Sequence, residues 1–245
     1  MVWLNRPDQR NALSAELVEA LLAEFEDASA SEDTGAVVLA GRGPAFCAGG
    51  DLKGSMGMSG GFVAAHEGRE QFAAVMRAIP TAAVPVIAAV HGDAMGGGLG
   101  LAAACDILVA EEGAKLGTPE IRLGLFPWII LAVLQRDVPR KKLAELVYTG
   151  GRWTAAEAEA VGLVNHVVPV GAGLDKAMEI AEVVASRSPV IVKMGKAAFH
   201  RISDLDYDQA LAFMHGQLSL NLLTEDAMEG IGAFLQKRAP EWKGR

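Results

Sequence analysis

The sequence predicts an α/β fold, and two observations carry that prediction. Short apolar runs at 36–39, 84–90 and 107–109 each lead into a turn and then an amphipathic stretch, a strand–turn–helix rhythm. The run from Val84 to Val90 is uniformly apolar and rich in β-branched residues, as expected of a strand buried on both faces.

Taken in order, Val2-Trp3-Leu4 opens the chain as a short strand. A helix is predicted from Ser14, because Leu17, Leu21, Leu22, Phe25 and Ala28 recur at helical spacing with acidic residues between them. Ala36 to Leu39 forms a buried strand that delivers the chain into Phe46-Cys47-Ala48-Gly49-Gly50-Asp51-Leu52-Lys53. Gly54 to Gly61 reads as a mobile loop, followed by a helix to Ile79 that Pro80 ends. The strand at 84–90 runs into Gly96-Gly97-Gly98, where a helix begins, and Ile107-Leu108-Val109 is the next strand. Beyond about residue 140 the pattern becomes successive helices with no strands between them. Their starts are marked by the capping box Thr154-Ala155-Ala156-Glu157, by Ser188-Pro189, and by Thr224 before the stripe Ala227, Met228, Ile231, Phe234 and Leu235. Such helices need a partner surface, either their own core or a neighbouring subunit.

Composition narrows the function. A net charge of -8 argues against a nucleic-acid surface. No segment is apolar for long enough to span a membrane; the run Ile129 to Leu134 is soon interrupted by Arg136 and Asp137. The first residues lack the pattern of a signal peptide. Cys47 and Cys105 lie in small apolar surroundings and read as buried free thiols, which together point to the cytoplasm. No His, Cys or Asp cluster has metal-ligand spacing, so no metal is expected.

The two glycine turns are where chemistry is expected. Each can present backbone N–H groups that no side chain shields, and two such donors converging from separate turns form an oxyanion hole. Glu120, in Gly117-Thr118-Pro119-Glu120, follows as a proton-transfer group, and partial burial there would raise its pKa. That order suggests carbonyl activation followed by proton transfer. Neither glycine run has the spacing of a nucleotide-binding loop.

These motifs occur together with Leu4-Asn5-Arg6-Pro7, Asn11-Ala12-Leu13, Ala104-Cys105-Asp106, Leu123-Gly124-Leu125-Phe126-Pro127 and the C-terminal Phe234 to Trp242. In that order and spacing the chain resembles the enoyl-CoA hydratase/isomerase (crotonase) superfamily over nearly its whole length. The resemblance implies a ββα superhelical spiral core, with residues 1–140 binding acyl-CoA. Residues 141–245 would form a mostly helical region that builds a homotrimer, or a hexamer as a dimer of trimers, and closes the coenzyme A pocket. Family members usually carry a further strand before Val2, so the sheet edge should be short there. The resemblance implies an acyl-CoA thioester as substrate, coenzyme A being part of that substrate and no separate cofactor being needed. The amides of Gly50 and Gly97 would hold the thioester oxygen and Glu120 would move the proton. Ala48, Gly50, Asp51, Leu52, Lys53, Gly97 and Trp128 would surround the substrate. Arg6, Arg10, Lys53, Lys237, Arg238, Lys243 and Arg245 are candidates for the coenzyme A phosphates, or are solvated surface charges.

Two departures bear on the reaction. The family's hydratases place a second glutamate where this chain has Gly100, and its dienoyl-CoA isomerases place an aspartate where this chain has Trp128. One carboxylate suffices to shift a double bond, so isomerisation is favoured. Hydration or decarboxylation on the same fold, and a non-catalytic acyl-CoA-binding subunit, are the alternatives. Trp128-Ile129-Ile130 should reshape or shorten the acyl pocket, unless Trp128 simply fills core space. His66, Glu67 and Glu70 could replace the missing acid, although a solvated helix face explains them more simply. His91 and Asp106 are expected to be structural hydrogen-bonding residues, and Asp51 can cap its own turn.

Overall fold

The apolar run after Pro85 forms β4 (Val86–Val90), the middle strand of a five-stranded parallel sheet, in a computed structural model that describes residues 1–52 and 61–245. The sheet order is β1 (Val2–Leu4), β2 (Val37–Gly41), β4, β6 (Ile107–Glu111) and β9 (His166–Val168). Alternation along β2, β4 and β6 explains their unbroken apolarity. Leu39, Val86, Ala88 and Leu108 face the main core, whereas Val38, Ile87, Ala89 and Val109 face the other side. There α7 (Gly173–Ala185) covers them with Ala177 and Ala181. Both faces of these strands are therefore dry, and only apolar side chains satisfy both.

A second, four-stranded sheet is built from pieces too short to show any periodicity. Its order is β3 (Ala45–Cys47), β5 (Asp93–Met95), β7 (Lys115–Gly117) and β8 (Arg152–Thr154), the first three parallel and the last antiparallel. This corrects the expectation that the strands at 36–39 and 84–90 enter the glycine turns directly: β3 and β5 intervene. It also corrects the expectation of helices alone beyond residue 140. β8 and β9 lie there, and each completes one sheet.

The helix starts follow their capping signals. Ser14 accepts from the Leu17 amide at the start of α1 (Ala15–Ala30). The capping box is complete at α6 (Ala155–Ala160), and Ser188 and Thr224 cap α8 (Pro189–Ile202) and α10 (Glu225–Gln236). Two further helices, α3 (Gly97–Ala103) and α4 (Trp128–Leu134), pack on each other beside the small sheet. α5 (Arg140–Thr149) precedes β8. The helix expected to stop at Ile79, α2 (Gly61–Thr81), takes Pro80 into its last turn. The expected loop residues 54–60 lie outside the described residues, and Gly61 opens α2.

One buried cation ties the helical region to the core. Lys196 of α8 donates to Asp106 Oδ2 at 2.7 Å and to the carbonyls of Ile79 and Val84 at 2.8 and 2.9 Å. Asp106 also accepts from the Val86 amide at 2.7 Å and faces His200 Nε2 at 2.8 Å. Burial pushes the Asp106 carboxyl up, but His200, Lys196 and the Val86 amide outweigh it and hold the group below its ordinary value. Asp106 is thus the structural residue expected. Lys196→Met would strand that carboxylate and two carbonyls, and should cost about 3–5 kcal/mol of stability, read as the fall in a urea unfolding free energy.

By contrast α9 (Tyr207–Asn221) buries none of its residues, and it exposes Tyr207, Leu211 and Leu218. On α10 the apolar stripe is also outward, with Phe234 82% exposed.

Candidate active site

Three neighbouring parallel strands of the small sheet, β3, β5 and β7, deliver the three expected site segments side by side. After β3 come Gly49 and Gly50, after β5 come Gly96 and Gly97, and after β7 come Pro119 and Glu120. The site thus lies at the carboxyl ends of parallel strands, where diverging backbones leave a crevice.

The first turn is held by the segment that precedes α1. The Leu13 amide donates to Gly49 O at 2.8 Å and the Asp51 amide to Leu13 O at 3.1 Å. Because those two bonds occupy the side facing Leu13, the intervening Gly50 N–H points the other way. Asn11, fully buried with a left-handed φ of 57°, spans the base of this arrangement; its side chain bonds Arg6 N, Arg42 O and Ala45 O at 2.8 Å each. Burial pushes the adjacent Cys47 thiol up to about 12, and its Sγ lies 3.0 Å from Asn11 O, so it is an inert packing group.

The second turn converges on the first. A Cβ added to Gly97 would stand 3.6 Å from the Gly50 nitrogen, and one on Gly49 (φ 101°) would stand 3.5 Å from the Gly97 nitrogen. Gly97 is the first residue of α3, so its amide is one of those the helix leaves without an internal acceptor. Leu13 and Phe72 border this point, each 3.2 Å from the same Gly97 carbon position. Two backbone donors a few ångströms apart, walled by apolar side chains, are what a developing oxyanion requires.

Glu120 stands beside the cradle on a 3-10 helix (Pro119–Leu123), closed by Gly124 in the left-handed conformation. Its Oε1 lies against Gly96, where a Cβ would approach to 2.7 Å, and its Oε2 is buried with no hydrogen-bond partner among the described residues. Burial raises its pKa above the ordinary glutamate value of 4.5, as expected. An activity that needs ionised Glu120 should therefore fall off on the acid side with an apparent pKa above 4.5, read from the pH profile of kcat/KM. Gly96 has φ 52° and ψ -122° and has no room for a methyl group. Gly96→Ala should displace the carboxylate and lower kcat by about 10²-fold in steady-state assays, as a misplacement near 1 Å does.

At Gly100 the structure is specific. A Cβ there would lie 2.7 Å from Ile130 Cβ and closer still to Ile130 Cγ2. Ile130, only 3% exposed, thus fills the volume a second acid would take. Trp128 does not fill core space: it is 77% exposed and rests on Phe126 with ring centroids 4.8 Å apart. Its neighbour Ile130 does the filling. Ala48 and Leu52 are exposed at the rim, whereas Asp51 is drawn into an ion pair with Arg6 at 3.1 Å. Lys53 lies outside the described residues. Of the other basic candidates, Arg238 pairs with Glu229, and Lys243 and Arg245 with Glu225, while Arg10 and Lys237 are exposed. His66, Glu67 and Glu70 are exposed on α2, with Glu70 paired to Arg77. His91 Nε2 bonds Gly43 O at 2.8 Å, the structural role expected.

The sequence model of the family described as "Enoyl-CoA hydratase/isomerase" matches residues 1–245. The chain belongs to that family. The solved enoyl-CoA hydratase of Mycobacterium smegmatis is 38% identical and superimposes with a TM-score of 0.94 over 98% of this chain and 93% of the other. Human enoyl Coenzyme A hydratase domain-containing protein 3 is 36% identical, also at a TM-score of 0.94, over 98% and 94% of the two chains. The 2,3-dehydroadipyl-CoA hydratase of Escherichia coli (strain K12) is 36% identical, over all of this chain and 95% of its own length. As an enoyl-CoA hydratase/isomerase family enzyme with an α/β core and a C-terminal helical region, the chain has the fold class and the enzymatic character its motifs imply. Among the described residues no helix is long and apolar enough to cross a membrane, and no group of three His, Cys, Asp or Glu could hold a metal ion.

Proposed function

We propose that this member of the family is an enoyl-CoA isomerase that works with one carboxylate. The observation carrying this reading is the pairing of a half-buried Glu120, whose Oε2 has no hydrogen-bond partner among the described residues, with a Gly100 whose side-chain volume is taken by Ile130. The thioester oxygen of a 3-enoyl-CoA binds the Gly50 and Gly97 amides. Glu120 removes a proton from C2, the electron pair delocalises into a dienolate with its charge on that oxygen, and Glu120 returns the proton at C4. The raised pKa suits a group that must take and give the same proton. No group beyond the coenzyme A of the substrate is required. Exposed Trp128 and half-buried Phe126, with Ala48 and Leu52, form the rim the acyl-CoA passes. The apolar faces of α9 and α10 support assembly as a homotrimer or a dimer of trimers, which light scattering tests.

Hydration is the second reading, favoured by the names of the relatives, including the 2,3-dehydroadipyl-CoA hydratase. Incubating the enzyme with 3-hexenoyl-CoA and, separately, 2-hexenoyl-CoA in deuterated water distinguishes the two by mass spectrometry. An isomerised enoyl-CoA with no 3-hydroxyacyl-CoA is expected, with deuterium entering only as far as Glu120 exchanges its proton with solvent before returning it. A 3-hydroxyacyl-CoA formed from 2-hexenoyl-CoA would overturn the isomerase.

A further inference from the structure

We infer that Ile130 determines the reaction's outcome by keeping water away from C3 of the bound acyl group; this rests on the isomerase reading. Helix α3 presents Gly96 to Glu120 and, one turn or about 6 Å further along, Gly100 to Ile130. The site therefore has a carboxylate at one position and a branched hydrocarbon at the next. Ile130 Cγ2 and Cβ press against the Gly100 backbone, and the residue is almost wholly buried on α4.

A water molecule needs room and two or more polar partners to occupy such a place. Ile130 takes the room and offers no donor or acceptor. Glu120 lies one turn away and meets the cradle at Gly96. Hydration forms a C3–O bond, breaks one water O–H bond and places a proton on C2, so it requires a water held on the Gly100 side. Isomerisation only moves one proton from C2 to C4, and Glu120 suffices for it. The branch at Ile130 Cβ is the feature that matters, because Cγ2 is the atom nearest Gly100.

The test compares Ile130→Ala, which removes Cγ2, with Ile130→Val, which keeps a branch at Cβ, in water enriched in oxygen-18. Both 2-hexenoyl-CoA and 3-hexenoyl-CoA are supplied, and melting temperature is recorded. Ile130→Ala should raise labelled 3-hydroxyacyl-CoA relative to isomer by about tenfold or more, the scale of discrimination a methyl-sized change confers. Ile130→Val should behave as the parent. If Ile130→Ala does not fold, Ile130→Leu keeps the buried volume but carries no branch at Cβ, and should shift the ratio in the same direction. A folded Ile130→Ala or Ile130→Leu whose product ratio stays within about twofold of a parent that isomerises would overturn the inference and leave the isomerase standing. A parent that hydrates, or that converts neither substrate, would remove both.

Discussion

Glu120→Gln is expected to lower kcat by about 10³–10⁴-fold, the upper part of the range for acid–base catalysis, while the protein folds normally. The size of the effect follows from the geometry: Asp51, beside Gly50, is held in its ion pair with Arg6, and the position at Gly100 is closed by Ile130. The amide is nearly isosteric, so Gly96 still fits against it. The folded state should even gain. Burial raises the Glu120 pKa, so the native protein binds this proton more tightly than the unfolded chain does. Its contribution to stability is present below the ordinary value of 4.5 and is lost as pH rises through the raised value. At neutral pH the ionised group is therefore a burden that glutamine removes. The variant should melt at the same or a higher temperature than the parent at pH 7, with the difference vanishing in acid. Retained turnover would sink the single-base mechanism.

Gly97→Pro should cost about 10²–10³-fold in kcat, or ~3 kcal/mol of transition-state stabilisation, by deleting one of the two proposed oxyanion donors. Proline normally destroys a helix, but Gly97 is the first residue of α3, the position where proline's missing N–H breaks no internal bond. Leu13 and Phe72, 3.2 Å from the new carbon, must shift by a few tenths of an ångström. Circular dichroism should stay native while kcat falls. Gly97→Ala introduces the same steric intrusion and keeps the N–H, so it separates loss of the donor from crowding. If both variants fall equally, the Gly97 amide is not a donor to the reacting oxygen.

The glycine turns were legible because each does something other residues cannot. Gly49 and Gly96 adopt positive φ, and Gly96 has the Glu120 carboxylate where a side chain would begin. The strand at 84–90 was legible because burial on both faces leaves a continuous apolar run. What carries the site geometry was not legible. Strands β3, β5 and β7 have three residues each, fewer than two periods of alternation, so no pattern announces them. The contact of Ile130 with Gly100 joins two helices far apart in sequence. The bulk at Trp128-Ile129-Ile130 signalled a reshaped pocket, but only the fold shows that Ile130 packs on Gly100 while Trp128 stays exposed. Phe72 beside the cradle left no signal, since an aromatic at helical spacing reads as ordinary core. Lys196 was missed because lysine on a helix is read as solvated.

That lysine has a consequence for how the molecule comes apart. Its ammonium joins the end of α2, the entry to β4 and the loop before β6 to a helix from the last quarter of the chain. Peeling α8 away would leave a carboxylate and two carbonyls facing a dry interior together. The free energy of that partial opening should approach that of losing the whole structure, so slow-exchanging amides in β4 and in α8 belong to one cooperative unit. Strand β4, from which the chain runs on to β5 and Gly97, would then be no more persistent than a helix from the last quarter of the sequence.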